Sequence, residues 1–385
     1  MPAEALASAA GTATMEITVS KFELLRELTA TQGVVERKTT IPILSNYLFE
    51  AAGDKLSLTA TDLDLSLRTA CSAKVKKEGS CTIPARKLHD YVKLLPDADI
   101  TIKLLENHWV SIRCGRSNTK MVGMARSNFP SLPAFPTAGV MKIPAQVLRS
   151  MIAKTGFAIA NEESRYTLNG ALMVLKPESI TMVATDGHRL SHIERSGEKF
   201  DGISGEMKTL IPKKAMDELK SLLDGTDTET IDFAKDESTL YFRIGPRLLT
   251  SRQLTGQFPN YEAVLPKDNS KSITVNGEEL SAAISRVAQF ADERSRAVRI
   301  KLEKGELKLS ASSTETGESE DSLETNYNGD PLTIGFNAQY VLDFLKAVGT
   351  GEVKLELKDA QSAGQLRPAN GEDYKYRYIV MPMRI

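Results

Sequence analysis

The stretch that decides the fold is LSLTATDLDLSL at residues 56–67, because a close relative, ITMVATDGHRLS, occurs at residues 180–191. In both stretches an alternating apolar strand runs into Ala-Thr-Asp. A weaker third copy, LKLSASSTETGES, follows at residues 307–319. The copies are about 125 residues apart, which is far longer than the period of a solenoid, so each repeat is expected to be a whole domain.

Two further sets of landmarks have the same spacing. IPARKLHDYVKLL (83–95) is matched by IPKKAMDELKSLL (211–223) and FNAQYVLDFLKAV (336–348), and FPSLP (129–133) is matched by FPNYEAVLP (258–266). Three sets in register indicate an internal triplication. Pro-rich or polar boundaries predict repeat one at residues 15–138, repeat two at 139–270 and repeat three at 271–385. Residues 1–14 are small and polar and are expected to form a disordered extension.

Each repeat is predicted to contain two amphipathic helices and several alternating strands, such as residues 100–104 and 353–357. Helical apolar spacing of i, i+3, i+4 and i+7 defines the helices. The first-helix stripes are Phe22, Leu25 and Leu28; Leu148, Met151 and Ile152; and Leu280, Ile284 and Val287. The second-helix stripes are Leu88, Tyr91, Val92 and Leu95; Met216, Leu219 and Leu223; and Val341, Phe344, Leu345 and Val348. Helices on one side of antiparallel strands predict an α+β fold.

Composition excludes several classes of protein. Hydrophobic residues make up 41% and charged residues 26% of the 385 residues, which is typical of a globular protein, and no apolar run reaches the length of a membrane span. Cys71, Cys81 and Cys114 lack metal-site spacing and are expected to be reduced thiols in the cytoplasm. The net charge of −1 argues against a uniformly basic DNA-binding surface. The predicted helices carry more basic than acidic residues, however, which allows a basic inner face with acidic sheets outside.

Asp186 and His188 are the strongest candidates for catalysis, since a metal-dependent hydrolase could use them as ligands or as an acid–base pair. No HExxH, GxSxG, GxxxxGK[ST] or GxGxxG motif accompanies them. Asp-Gly also marks a tight turn, in which the carboxylate accepts backbone N–H bonds. The equivalent turn at Asp62 has no histidine, so the aspartate is expected to be structural. A scaffold that does not bind DNA is a further alternative.

The sequence resembles the bacterial sliding clamps, the beta subunits of the replicative DNA polymerase III, over residues 15–385. The resemblance rests on an ordered series of motifs: IPILSN (41–46), TATDLDLSL (59–67), IPARKL (83–88), GRS (115–117), FPSLP (129–133), RYTLNGALM (165–173), VATDGHRLS (183–191), FPNYEAVLP (258–266), IGFNAQYVLDFL (334–345) and VMPMR (380–384).

This resemblance implies a head-to-tail homodimeric ring in which helices line a hole and antiparallel sheets lie outside. Such a ring encircles double-stranded DNA without sequence preference, catalyses nothing and needs no cofactor or metal. Its implied partners are replicative and translesion polymerases, the clamp loader and repair proteins. The implied DNA-facing residues are Lys38, Arg86, Arg149, Arg165, Tyr166 and Thr167. At the dimer interface, an edge strand near 115–124 would meet one near 296–303, with Met121 and Phe290 as apolar contacts.

The resemblance also implies a hydrophobic cleft that receives a short peptide from each partner, of the type Gln-Leu-x-Leu-Phe. Its implied residues are Leu168, Thr185, Gly187, His188, Arg189, Leu190, Pro259, Val264, Ile379, Met381, Pro382, Met383 and Arg384. Leu190, Met381 and Met383 are expected to be partly exposed without a peptide. Arg189 is expected to meet peptide carboxylates or carbonyls.

Overall fold

The computed structural model describes residues 15–36, 39–161, 165–197, 199–370 and 373–384. The predicted extension at 1–14 lies outside the described residues. The chain divides into two compact units: the first ends at Val140 and also includes Ser221–Arg252, and the second comprises Met141–Lys220 and Gln253 onward. The three repeat boundaries proposed from the sequence remain a prediction.

Six α-helices occur in the described residues: α1 Lys21–Thr31, α2 Ala85–Leu94, α3 Ala145–Thr155, α4 Lys213–Asp224, α5 Gly277–Val287 and α6 Ala338–Val348. Asparagines cap the last two helices, since the Asn276 side chain accepts from the N–H groups of Glu278 and Glu279, and Asn337 accepts from that of Gln339.

The strands of repeat one are β1 Glu16–Ser20, β2 Asn46–Ala52, β3 Lys55–Thr61, β4 Leu65–Ser72, β5 Lys74–Lys77, β6 Gly79–Pro84, β7 Asp99–Leu104, β8 Trp109–Cys114 and β9 Ser117–Val122. Those of repeat two are β10 Met141–Pro144, β11 Gly170–Lys176, β12 Ser179–Thr185, β13 Arg189–Ser196, β14 Met207–Pro212, β15 Thr230–Lys235, β16 Thr239–Ile244 and β17 Arg247–Arg252. Those of repeat three are β18 Lys271–Asn276, β19 Ala297–Glu303, β20 Glu306–Ser313, β21 Gly317–Glu324, β22 Leu332–Asn337, β23 Glu352–Leu357, β24 Gly364–Pro368 and β25 Tyr374–Val380.

The sheets are antiparallel within each unit. The first unit contains one sheet in the order β5-β1-β7-β8-β9 and another that runs β15-β16-β17-β4-β3-β2-β6. The second unit contains the sheets β14-β11-β12-β13-β25-β24-β23-β18 and β21-β20-β19-β22. This confirms the predicted α+β class with repeated antiparallel sheets.

Most of the predicted helix stripes are buried, including Leu148, Met151 and Ile152 on α3 and Leu280, Ile284 and Val287 on α5. The stripe predicted for α1 is wrong at Phe22 and right at Leu28. Phe22 is 71% exposed, whereas Leu24 and Leu28 are fully buried. Two residues correspond to about 200° around a helix, so Phe22 lies nearly opposite the Leu24 face.

Two strand pairings join successive repeats within the chain. Strand β4 of repeat one pairs with β17 of repeat two, with Ser66 opposite Thr250. Strand β13 of repeat two pairs with β25 of repeat three in the same register, with Leu190 opposite Ile379. Strand β21 corresponds to β4 and β13, because each follows the equivalent hairpin: Thr61 pairs with Ser66, Thr185 with Leu190 and Ser312 with Glu318.

Strands β9 and β21 lie at the edges of their sheets. The edge strand expected near 115–124 is therefore present as β9. The one expected near 296–303 is wrong, since β19 lies between β20 and β22 and both of its edges are hydrogen-bonded. In the sheet that contains β19, the end strand with an open edge is β21, because β22 already forms a bridge from Gly335 to Met383.

Candidate functional site

The turn between β12 and β13 is held by its own side chains. The Asp186 Oδ1 atom accepts from the N–H groups of His188 at 2.9 Å and Arg189 at 3.0 Å. The Thr185 hydroxyl donates to the Arg189 carbonyl oxygen at 2.6 Å and accepts from the N–H of Gly187 at 3.1 Å. Gly187 has φ of +90°, a left-handed conformation that glycine adopts without strain.

The turn in repeat one repeats this pattern. Asp62 accepts from the N–H groups of Asp64 and Leu65, and Thr61 bonds to the Leu65 carbonyl oxygen and the Leu63 N–H. The aspartate is thus a turn residue in both repeats, as the sequence predicted. His188 is exposed. Nowhere in the described ranges do three or more His, Cys, Asp or Glu side chains form a group that could hold a metal ion.

Arg189 makes internal contacts, which corrects the expectation that it binds peptide groups. Its side chain is only 10% exposed and bridges Asp186 on its own turn, at 3.0 Å, and Asp343 on α6, at 2.5 Å. It also donates to the Phe157 carbonyl oxygen at 2.7 Å and lies over the Tyr340 ring at 4.4 Å. Arg189 therefore ties the repeat-two turn to a repeat-three helix.

Burial alone would lower the pKa of the Arg189 guanidinium, but its contacts with Tyr378 and Asp343 outweigh burial and raise the pKa. Arg189 consequently stays charged at any physiological pH. It is a structural cation that positions the turn and is not open to a ligand.

An apolar cluster lies behind the turn, on the opposite side of β13 from Arg189. Its buried members are Leu172, Val174, Val183, Leu190, Leu210, Phe258 and Ile379. Leu190 is only 4% exposed, so the expectation of a partly exposed Leu190 is wrong. The reason is long-range: Leu190 is paired on one side with Thr185 and on the other with Ile379, and the cluster packs over it.

The rim of this cluster is open. Leu168, Leu254, Tyr261, Leu265 and Ala363 are partly buried against it. Val264 is 44% and Met381 43% exposed, Pro259 is exposed, and Pro382 and Met383 are half-buried. The expectation of partial exposure therefore holds for the two methionines. We call this rim and the cluster beneath it the cleft.

The C-terminal segment is fixed to the cleft by its backbone. The N–H of Met381 donates to the His188 carbonyl oxygen at 2.9 Å, and the N–H of Met383 donates to the Gly335 carbonyl oxygen at 2.8 Å. Pro382 lies between these two bonds and has no N–H to satisfy. Met381 is therefore held beside the 185–190 turn, as the resemblance implied.

Sequence reasoning missed Leu254, Tyr261 and Leu265 as rim residues. Leu254 follows β17 as Met383 follows β25, and its N–H donates to Leu210 as that of Met383 donates to Gly335. Aligning the ends of these two strands would have identified it. Tyr261 and Leu265 lie within the quoted FPNYEAVLP motif, and only the position of the loop on the sheet reveals their role.

The residues expected to face DNA occupy separate places. Arg86 is exposed on α2 and Arg149 is half-buried on α3. Arg165 and Tyr166 are exposed beside the short 3₁₀ helix Tyr166–Leu168, where Thr167 is half-buried; the Arg165 guanidinium donates to the Asp186 carbonyl oxygen at 2.6 Å. Lys38 lies outside the described residues.

The two expected interface residues also differ in exposure. Met121 is 8% exposed and packs within its own unit, so the structure does not support it as an apolar contact between chains. Phe290 is half-buried at the end of the short helix Ala288–Phe290. Within the part of the chain that the structure covers, no helix is long and apolar enough to cross a bilayer.

Comparison with known proteins matches nearly the whole chain. Sequence profiles of the DNA polymerase III beta subunit match in chain order: the N-terminal domain at residues 15–133, the central domain at 142–260 and the C-terminal domain at 262–384. The beta sliding clamp of Caulobacter vibrioides is 34% identical and that of Pseudomonas putida 36% identical, and each alignment covers 96% of this chain and 100% of the relative.

Solved structures show the same similarity. The sliding clamp of Pseudomonas aeruginosa, crystallised bound to griselimycin, superposes with a TM-score of 0.90 at 34% identity, covering 96% of this chain and all of that one. The sliding clamp of Bacillus subtilis also superposes with a TM-score of 0.90, at 27% identity, covering 96% of this chain and 99% of that one.

Proposed function

Because this chain belongs to the family of DNA polymerase III beta subunits, the beta sliding clamps, we propose that it forms a ring around duplex DNA and tethers polymerases there. As a sliding clamp it is a processivity factor and not an enzyme. The observation that carries the ring is the repeated junction: β4 with β17 and β13 with β25 share one register, and the corresponding strands β21 and β9 each have one edge without a strand partner in the described residues.

The open edges of β9 and β21 predict how two chains join. Transferring the shared register to β9 of one chain and β21 of another places Lys120 opposite Glu318 and Thr119 opposite Ser319. Strand β21 carries Glu318, Glu320 and Glu324, whereas β9 carries Lys120 and follows Arg116. Edge strands with complementary charge favour such pairing over aggregation. This replaces the interface strand expected near 296–303, and Phe290 remains a proposed apolar contact.

DNA contacts are proposed for Lys38, Arg86, Arg149, Arg165, Tyr166 and Thr167. A clamp must slide, so its contacts should go to phosphates and not to base edges. A closed ring cannot fall off, and a few cations are therefore sufficient despite the net charge of −1.

The cleft is the proposed docking site for partner peptides. Apolar residues such as Val264 and Met381 are exposed beside a buried cluster, and a peptide with two apolar anchors would cover them. The proposed partners are replicative and translesion polymerases, the clamp loader and repair proteins, and the proposed compartment is the cytoplasm.

The test of the ring is retention on DNA. Clamp loaded onto a nicked circular plasmid should co-elute with it at high salt, because a ring is held by topology and salt weakens only phosphate contacts. Linearising the plasmid should release the clamp within minutes. Equal retention on circular and linear DNA, or loss from both as salt rises, would refute encirclement.

A further inference from the structure

Repeat three has a polar groove at the position that the cleft occupies in repeat two. The groove has a volume of about 640 Å³, and its lining includes Arg299, Ser310, Glu318, Glu320 and Arg384. All of these residues belong to the second compact unit.

The correspondence follows from strand register. In repeat two, Leu210, Leu172 and Val183 form one row across β14, β11 and β12. In repeat three, the equivalent row across β22, β19 and β20 is Gly335, Arg299 and Ser310. A residue just beyond the last strand of the repeat extends both rows. Beyond β17, the N–H of Leu254 donates to Leu210, and beyond β25, the N–H of Met383 donates to Gly335.

The chemistry of the two rows is different. Leucine and valine in repeat two are replaced by glycine, arginine and serine in repeat three, so a buried cluster becomes an open groove. The row continues from Ser310 to Glu320 on β21. Residues paired directly across antiparallel strands lie on one face, so Met383, Arg299, Ser310 and Glu320 share it.

Five charged residues line the groove, and one of them, Asp292, accepts hydrogen bonds from the backbone N–H groups of Arg294 and Ser295. Arg299, Arg384, Glu318 and Glu320 are all exposed, and within the described ranges none has an ion pair at 4.0 Å or less. In the proposed dimer Glu318 faces Lys120, whereas Glu320 faces the neutral Asn118. Arg299 and Glu320 are the two charged residues of the row itself, and they lie two strands apart, or about 10 Å.

We propose that this groove binds the part of a partner protein that lies next to the peptide in the cleft. The groove selects a segment in which an acidic residue is nearer to that peptide and a basic residue lies three positions farther away. The C-terminal segment links the two sites, since Met381 borders the cleft, Met383 pairs with Gly335 beside Arg299, and Arg384 lines the groove. An extended chain covers about 10 Å in three residues, which matches the separation of Arg299 and Glu320. The inference rests on the proposed cleft and adds a preference for a particular order of charged residues in the partner.

The test uses synthetic peptides of equal composition. A labelled Gln-Leu-Ser-Leu-Phe peptide is extended at either end through a Gly-Ser linker, with Glu nearer the motif and Lys three residues beyond, or in the reverse order. Fluorescence anisotropy at low salt should show about three- to fivefold tighter binding when Glu is nearer the motif than when Lys is, the size expected of two partly exposed ion pairs. This gain is expected for an extension at only one of the two ends of the peptide. The gain should vanish in 0.5 M salt.

The double variant Arg299→Glu with Glu320→Arg should reverse the preference, and Ser310→Trp should remove it by filling the groove. Light scattering confirms that each variant is still dimeric. If both charge orders bind alike, or if the preference survives the charge exchange, the groove proposal is wrong although the cleft stands. If the unextended peptide binds equally to a chain lacking Met381–Ile385, the cleft itself is wrong and the groove proposal falls with it.

Discussion

At the scale of single residues, Arg189 shows how a cation in a candidate site can be structural. It neutralises Asp186 and Asp343, which are 16% and 23% exposed at their side chains. Arg189→Met would leave two partly buried carboxylates without their partner, which typically costs about 3 kcal/mol. We expect a lower melting temperature by calorimetry. Arg252→Met, which breaks a pair whose side chains are 72% and 79% exposed, is the matched control and should leave it nearly unchanged.

Glu218 provides a second prediction at this scale. It is 6% exposed on α4, and burial raises the pKa of its carboxyl from 4.5 to about 7. The folded state thus binds the proton more tightly than the unfolded state. Its contribution to stability is fully present below about pH 4.5 and is lost as the pH rises through about 7.

Glu218→Gln should therefore stabilise the protein at pH 8, by about 1–3 kcal/mol, and have little effect at pH 4.5. Urea unfolding at the two pH values measures this difference. Glu229→Gln, at an exposed position, is the control and should show no pH-dependent gain. An equal effect of Glu218→Gln at both pH values would show that this carboxyl does not titrate as inferred.

At the scale of elements, the C-terminal segment is expected to decide peptide binding without supporting the fold. Deleting Met381–Ile385 removes two backbone bonds and one wall of the cleft. Burying an apolar side chain is worth about 1.5–3 kcal/mol, so a partner peptide should bind at least tenfold more weakly. Anisotropy with a Gln-Leu-Ser-Leu-Phe peptide checks this expectation. His188→Ala is the comparison and should weaken binding only slightly, since His188 is exposed at the rim.

The elements also show where sequence reasoning succeeds. The apolar stripes of helices and the alternation of strands are local patterns in the sequence. Because the triplication shows each pattern in three repeats, the fold class was predictable. The Asp186 turn was predictable for the same reason. The burial of Leu190 and the partners of Arg189 were not, because both depend on strands and helices about 150 to 190 residues away. The mistaken edge strand likewise depended on strand order, which periodicity does not encode.

At the scale of the whole molecule, the predicted β9–β21 junction can be tested by charge reversal. Lys120→Glu places a like charge opposite Glu318 and should shift dimer to monomer at nanomolar concentration. Adding Glu318→Lys restores the pair and should restore the dimer, as measured by analytical ultracentrifugation. Lys304→Glu, in the exposed turn between β19 and β20, is the control. If the double variant is no more dimeric than Lys120→Glu alone, the register transferred from the internal junctions is wrong.

The repeated strand junction has a mechanical consequence. Two of the three junctions are closed within one chain, where covalent linkage keeps the paired strands at a high effective concentration whatever the dilution. In the proposed dimer the third would join separate chains and would have no such advantage, although its strands are built alike. A ring with equivalent strand junctions would therefore dissociate first between β9 and β21. A clamp loader would need to open the ring only at this junction.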